Sequence, residues 1–463
     1  MKLSELLNVL KTAETAEEMD VRREEIAALI PAVRTMFGYD QKNSAHQYDL
    51  WMHSLHVVCN LPRRMENDMV YLAALLHDIG KPEAQCRGKR ECDPDMHYYG
   101  HPEKSMEIVR DIVIPELDRH LPKTMEYLKN ALSGLKCQVF SPMEGALCAW
   151  FDYGQPSAIA FRSDADALPV EETTKAPYAS THPGQMHACG HDGHMAILLE
   201  LARRLNGKEQ LSHNVLLVFQ PAEETTGGAR DICRTHVFRD YHVEAIFALH
   251  LWPGLEKGVI ASRKEEMMSR SCEVKVDIYG RAAHIAKANE GLDAMAAGVE
   301  FYRKVTAMEA ALPAKIRRLL KFGLFQSGTV CNVVSDHTRL EGSLRTFTDD
   351  VFYTMRAGIV SAGKTVERNS GCTVNVYMND GYPPVFNPPE LYDRVKALVP
   401  FRELPEPSMI TEDFAWYQKY LPGMFFFLGT GDTPALHASD FDFDESILEK
   451  GADFFEKLAE NYQ

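Results

Sequence analysis

The feature that most constrains this chain is a series of short apolar runs, several of which end in chemically loaded residues. Val139–Phe140, Ala146–Phe151, Ser157–Arg162, Val215–Phe219 and Ala245–His250 are bounded by Gly, Pro or Asp. Helical patterns such as His194–Leu205 alternate with them. Strands alternating with helices predict an α/β domain on a largely parallel sheet. In open sheets of this kind, ligands bind at the carboxyl ends of the strands. Glu223-Glu224 and His250 fall at such ends.

Two stretches depart from this texture. Ser271–Tyr279 alternates strictly (Cys272, Val274, Val276, Ile278), as a half-buried strand does. A helical pattern over Leu292–Met308 follows, then strands near Gly323–Val334 and Thr338–Thr346, helix Asp350–Arg368 and strand Cys372–Met378. This strand-helix-strand-strand-helix-strand order is the split βαβ, ferredoxin-like pattern. Thr411–Gln463 returns to α/β texture, so residues 265–379 read as an insertion into a domain made of 112–264 and 380–463. Residues 1–111 read instead as an all-α segment. Leu6, Leu7, Leu10 and Ile26, Leu29, Ile30 recur at helical spacing, and an apolar stretch from Val70 ends in His77-Asp78-Ile79-Gly80-Lys81-Pro82. Gln85–Asp95 reads as a loop and Glu103–Val113 as a further helix.

Charge narrows the partners. The chain carries 50 Lys and Arg against 66 Asp and Glu, and its first 111 residues hold 14 basic and 19 acidic side chains. The acidity is spread, and no basic tract invites nucleic acid or an anionic membrane. No apolar run reaches the roughly 18 residues a membrane helix needs, and the first residues do not form a signal peptide. Ten scattered cysteines fit a reduced, cytoplasmic protein better than a disulfide framework.

The strongest chemical signal is Met186-His187-Ala188-Cys189-Gly190-His191-Asp192-Gly193-His194. A Cys and a His two apart can face one metal if the backbone between them is a loop, which Gly190 permits. Alone, Cys-x-His is weak evidence. It gains weight from Phe219-Gln220-Pro221-Ala222-Glu223-Glu224, where two acids end an apolar strand and diverge, and from His250 and His437. One Cys, three His and one Glu suffice for a two-metal site with a shared water.

RSDADALP (162–169), MHACGHDGH (186–194), FQPAEE (219–224), LHLWP (249–253), GRAAH (280–284), LEGSLRT (340–346), TEDF (411–414) and LHASDFDFDE (436–445) occur in that order. Over about residues 112–463 the chain resembles the amidohydrolases of the aminoacylase/carboxypeptidase metallopeptidase superfamily. The resemblance implies a zinc-exopeptidase-like α/β catalytic domain with an inserted ferredoxin-like lid and dimerisation domain. It implies two divalent metal ions (zinc, manganese, cobalt or nickel) on Cys189, His191, Glu224, His250 and His437. Glu223 is then the general base and acid, and Asp164 orients a histidine ligand. His284 stabilises the oxyanion, often in a partner subunit's site, which implies a homodimer. Asn332 and Arg345 hold a substrate carboxylate, an Arg fork suiting a carboxylate bidentately. The implied substrate is an N-acyl amino acid, a dipeptide or a similar small amide. Where relatives carry a Pro-His pair after the GxxH histidine, this chain has Ala288-Asn289, and a His-x-x-Pro-Glu-Leu start is replaced by Ile114-Pro115-Glu116-Leu117.

Residues 48–101, with YDLWMHSLHVV, LAALLHDIGKP and YYGH, resemble the HD metal-dependent phosphohydrolases. This implies His53, His77 and Asp78, with His101 near them, as a second candidate site for one divalent metal. The alternative function is therefore a nucleotide phosphohydrolase working from this segment. The further Asp that HD domains carry on a late helix has no clear counterpart before the amidohydrolase part begins, where Asp111 or Asp118 could stand in.

Overall fold

The computed structural model describes residues 3–42, 47–61, 69–87, 96–97, 121–225 and 227–463. His101, Asp111, Asp118 and the expected helix Glu103–Val113 lie outside the described residues, as does most of the expected loop Gln85–Asp95. The chain divides into two compact units, Met1–His120 and Leu121–Gln463.

In the first unit, helices Leu3–Thr12, Ala16–Asp20, Arg23–Leu29, Leu50–Cys59 and Met69–Leu76 enclose their own core. Leu6, Leu10, Ile26, Leu55, Val58, Leu72 and Leu75 are buried in it. The helix at Leu50 starts where it does because Asp49 accepts the Met52 N–H, satisfying one of the donors a helix start leaves open. Trp51 donates its indole N–H to Asp20 at 2.8 Å and so ties that helix to the one ending there.

The strands that build the two larger sheets of the second unit are β1 (Gln138–Phe140), β2 (Leu147–Phe151), β3 (Ala158–Asp164), β4 (Asn214–Gln220), β5 (Val243–Pro253), β6 (Ile260–Ser262), β7 (Arg270–Tyr279), β8 (Arg318–Ser327), β9 (His337–Thr346), β10 (Thr373–Met378), β11 (Arg402–Glu403) and β12 (Gly423–Gly431). The main sheet has eight strands in the order β11-β6-β12-β5-β3-β4-β2-β1. It is parallel at its centre, where β12, β5, β3 and β4 run together, and again at one edge, where β11 pairs parallel with β6. Next to them, β6 and β2 are antiparallel. Every residue of β3 and β4 is buried, as central strands covered on both faces require. Helices α1 (Pro122–Leu132), α2 (His191–Asn206) and, near the C-terminus, Leu448–Asn461 bury Leu198, Leu201, Leu205, Phe455 and Leu458 in one core; Phe414, Phe425 and Ile232 belong to a second. β12 (GMFFFLGTG) supplies a central strand that the sequence reading left within a general α/β stretch.

The second sheet has four strands in the order β8-β9-β7-β10, all antiparallel. Helices α3 (Ala294–Ala311) and α4 (Asp349–Ser370) share its core through Phe301, Val305, Phe352 and Ile359. The chain passes through β7, α3, β8, β9, α4 and β10 in turn. Strand β8 runs Arg318–Ser327, not Gly323–Val334 as the apolar pattern suggests. Gly328, at φ +67°, turns the chain, and Val330 and Val333 beyond it are exposed. The strand starts early because the Arg318 guanidinium donates to the carbonyls of Glu309 and Leu312 at the end of α3 and to those of Pro313 and Ile316.

Candidate metal centre and catalytic site

The reactive groups gather at the carboxyl ends of β3, β4 and β5. Gly190, at φ +81°, turns the chain between Cys189 and His191, and α2 begins at His191 itself. A Cβ at Gly190 would meet Leu251 Cδ1 at 2.8 Å, so only glycine lets this turn approach β5. His191 donates Nδ1–H to the Asp166 carbonyl at 2.9 Å, which leaves its Nε2 an unprotonated acceptor. That Nε2 is buried without a hydrogen-bond partner, and so is Glu224 Oε1, 3.8 Å away. Ligand atoms of Cys189, His191 and Glu224 lie within 4.8 Å of one another. Buried polar atoms are rarely left unpaired, and a thiol, an imidazole and a carboxylate with free lone pairs are the donor set a divalent transition metal takes. The residues therefore fit the metal ions the family implies.

His437 and His250 complete the group. His437 Nε2 lies 3.3 Å from Cys189 Sγ and 3.2 Å from Glu224 Oε1, the latter contact not aligned for a hydrogen bond. His437 holds a left-handed φ of +68°, and Ala222, just before Glu223, one of +58°. Such strain at non-glycine residues gathers at functional sites. His250 donates Nδ1–H to the Leu251 carbonyl at 2.6 Å, which points its free Nε2 at Cys189 Sγ, 3.4 Å away. Burial and the neighbouring His194 hold His250 well below its ordinary pKa, so it is neutral and able to ligate. Burial pushes the Cys189 thiol well up, so a thiolate here requires a cation beside it. Burial also opposes ionisation of Glu224, but the neighbouring His437 more than offsets it and lowers its pKa.

Behind these groups lies a buried ionic network. The Arg162 guanidinium reaches Asp164 at 2.9 Å, Glu412 at 3.0 Å and Asp413 at 2.9 Å. Asp413 also accepts from Gln220 Nε2 and the Ala229 N–H, and its own N–H donates to Glu223 Oε1 at 3.2 Å. Glu223 is thereby fixed on one oxygen. Burial, with Glu412 and Glu224 nearby, raises its pKa well above the usual range. The Tyr382 hydroxyl donates to the Glu223 carbonyl at 2.8 Å and holds the loop from outside.

The structure thus brings together Cys189, His191, Glu223, Glu224, His250, His437 and Asp164. Asp164 does not hydrogen-bond to His191, whose Nε2 stays 3.6 Å away. Its Oδ1 accepts from His194 Nδ1 at 2.6 Å. His284, Asn332 and Arg345 lie on the four-stranded sheet and its loops. His284 pairs with Val333, the Ile285 N–H donates to the Asn332 carbonyl, and Arg345 donates to the Met409 carbonyl. Among the described residues, none of the three hydrogen-bonds or ion-pairs with the ligand group. Sequence reasoning missed His194, Arg162, Glu412 and Asp413 as functional residues, although all four stand inside the motifs RSDADALP, MHACGHDGH and TEDF. Their signal was a charged or titratable residue inside an otherwise apolar, buried strand or helix face. Asp166 also serves the site: its Oδ2 accepts the Glu224 N–H at 3.0 Å.

In the first unit, His53 Nε2 and His77 Nε2 face Asp78 Oδ2 at 3.4 and 3.1 Å. Lys81 Nζ meets the same oxygen at 2.7 Å and donates to Gln41 Oε1. A cation already stands on the carboxylate that a metal would share.

Comparison with known proteins bears on the second unit. Residues 160–461 match the model of peptidase family M20/M25/M40. The chain belongs to this family. An uncharacterized hydrolase of Staphylococcus aureus is 32% identical over 364 residues, covering 75% of this chain and 95% of its own length. A protein assigned as an aminohydrolase from methicillin-resistant S. aureus superposes with a TM-score of 0.70 at 28% identity, covering 74% of this chain and 92% of that one. The YxeP protein of Bacillus subtilis, a dinuclear metal-binding peptidase of the M20 family, superposes with a TM-score of 0.64 at 26% identity over 74% and 94%. The M20 fold and the ligand groups found here support a metal-dependent hydrolase with two divalent ions. No described helix is long and apolar enough to cross a membrane.

Proposed function

We propose that this M20 hydrolase cleaves the amide bond of N-acyl amino acids, dipeptides or similar small amides. The observation that carries the reading is a buried carboxylate, Glu223, adjacent in sequence to the ligand Glu224 and fixed through one oxygen by the Asp413 N–H. Cys189, His191, Glu224, His250 and His437 would hold two divalent ions, zinc, manganese, cobalt or nickel. When bound, these supply Lewis-acid polarisation of the amide carbonyl and a lowered water pKa. Glu223 takes a proton from the attacking water as its oxygen bonds to the amide carbon. It returns that proton to the nitrogen as the C–N bond breaks, leaving a carboxylic acid and an amine, and the remaining proton passes from acid to amine to give carboxylate and ammonium. His284 is assigned to the oxyanion, and Asn332 and Arg345 to the substrate carboxylate.

A homodimer fits this reading, since among the described residues His284 makes no hydrogen bond or ion pair with the ligand group of its own chain. The outer face of α3 supports it: Met295, Val299 and Tyr302, at i, i+4 and i+7, are exposed, as is Phe325 on edge strand β8. We place residues 265–379 as an inserted lid and dimerisation domain and residues 1–111 as an HD-like helical domain. A cytoplasmic location suits an enzyme whose Cys189 works as a thiolate.

The test is hydrolysis of N-acetyl and N-benzoyl amino acids and of dipeptides by protein loaded with Mn²⁺, Zn²⁺ or Co²⁺. Glu223→Gln should lower kcat by about 10²–10⁴-fold, and chelation should abolish turnover. Activity that survives both overturns the mechanism. Nucleotides belong in the same screen: phosphate release lost in His77→Ala but kept in Glu223→Gln would transfer the function to the first unit.

A further inference from the structure

His194 is not accounted for by the proposed chemistry, yet both of its ring nitrogens are committed. The Leu251 N–H donates to Nε2 at 2.9 Å, so Nε2 carries no proton, and Nδ1–H donates to Asp164 Oδ1 at 2.6 Å. The ring is 2% exposed. Asp164, His191, His194 and His250 cluster closely enough to suggest a metal group, but with both nitrogens engaged His194 has no lone pair to give. It is not a ligand.

Its position follows from the sheet. Strands β3 and β5 pair in register only as far as Arg162↔Ala248. Beyond that point β5 continues against β12 alone, with Leu251 opposite Leu428. The Leu251 N–H has therefore lost the strand partner it would have had, and the His194 ring takes that place. The same residue's carbonyl accepts the Nδ1–H of His250. Leu251 is thus held at both backbone groups, its N–H by His194 and its carbonyl by His250. The connected path runs Arg162, Asp164, His194, Leu251, His250.

We infer that His194 is a positioning residue for the metal centre: by replacing the missing strand at Leu251 it sets the tautomer and aim of His250. The inference rests on His250 being a ligand. Groups that orient ligands without touching the metal typically change affinity by about 10–100-fold.

The test uses the full chain and Co²⁺ as the probe, read by the thiolate-to-cobalt charge-transfer and d–d absorption and by chelator competition. In His194→Asn the amide N–H₂ can still donate to Asp164, but nothing reaches the Leu251 N–H. In His194→Gln the side-chain oxygen can reach that N–H. The expected result is weaker binding of one cobalt equivalent by about 10–100-fold in the Asn variant, with a shifted d–d band, partial recovery in the Gln variant, and apo-protein melting alike in both. Wild-type affinity and spectrum in both variants would overturn the inference. So would complete loss of one equivalent in both, which would make His194 a ligand, or a loss that merely follows apo-protein melting. His250→Ala is the control. If it retains both cobalt equivalents at full affinity, the ligand assignment fails independently of His194.

Discussion

Replacing Arg162 by Met would expose how much of this site depends on one buried guanidinium. The side chain is 2% exposed and faces three carboxylates, Asp164, Glu412 and Asp413, at 2.9, 3.0 and 2.9 Å. Met fills most of the volume but leaves those acids without a cation. Removing one partner of a buried ion pair costs about 3–5 kcal/mol, because the charge left behind is uncompensated. The cost must also depend on pH. Even with Arg162 present, burial raises Glu412 to about 8, and it raises Asp413 to about 6. Without Arg162 both rise further. An acid whose folded pKa exceeds its unfolded value contributes stability that is complete below the unfolded pKa and is lost as pH rises through the folded one. The deficit of Arg162→Met should therefore be about 3–5 kcal/mol near pH ~8 and shrink toward about 1–2 kcal/mol by pH ~5. Urea denaturation of wild type and variant across that range measures it. Arg162→Lys, which keeps the charge but not the fork, should fall between them. A deficit under about 1 kcal/mol throughout, or one that ignores pH, would refute the view that Arg162 holds ionised carboxylates.

Gly228→Ala should disturb the Glu223-Glu224 loop, since a Cβ there would lie 2.0 Å from the Pro221 carbonyl oxygen, and backbone cannot yield cheaply. A loss of about 1–3 kcal/mol in denaturation, with kcat/KM falling more than in a surface Gly→Ala control, is expected. Tyr382→Phe removes the donor to the Glu223 carbonyl and should destabilise by about 1–3 kcal/mol, read by the same denaturation. In the first unit, His77 is raised by Asp78 against the opposing effect of burial, while His53, His77 and Lys81 hold Asp78 well below the usual carboxylate range despite its burial. Stability from Asp78 is lost as pH falls below its ordinary 3.8, and stability from His77 is lost as pH rises past 6.5. Hydrogen-exchange protection factors of helix Leu50–Cys59 should be greatest between those limits, and Asp78→Asn should flatten the profile.

Much of this architecture is legible from local pattern alone. Strand apolarity and the alternation with helices carry the α/β reading, because central parallel strands are buried on both faces and must be apolar throughout, as β3 and β4 are. The candidate ligands Glu224 and His250 stand out because each lies at the end of such a run, and Cys189 because it lies two residues from His191 across Gly190. What local pattern does not encode is the order of the strands. Arg162 and Asp413 are 251 residues apart and meet only because β3 lies one strand from β4, whose Gln220 also binds Asp413. Asp164 turns to His194, not to His191, because the β3–β5 ladder stops at Ala248 and leaves a backbone donor for His194 to take. Sequence by itself determined which side chains can do chemistry and at which strand ends they stand. Only the tertiary structure decided which of them bond to one another, since a buried hydrogen bond depends on strand order and register, and residue periodicity carries neither.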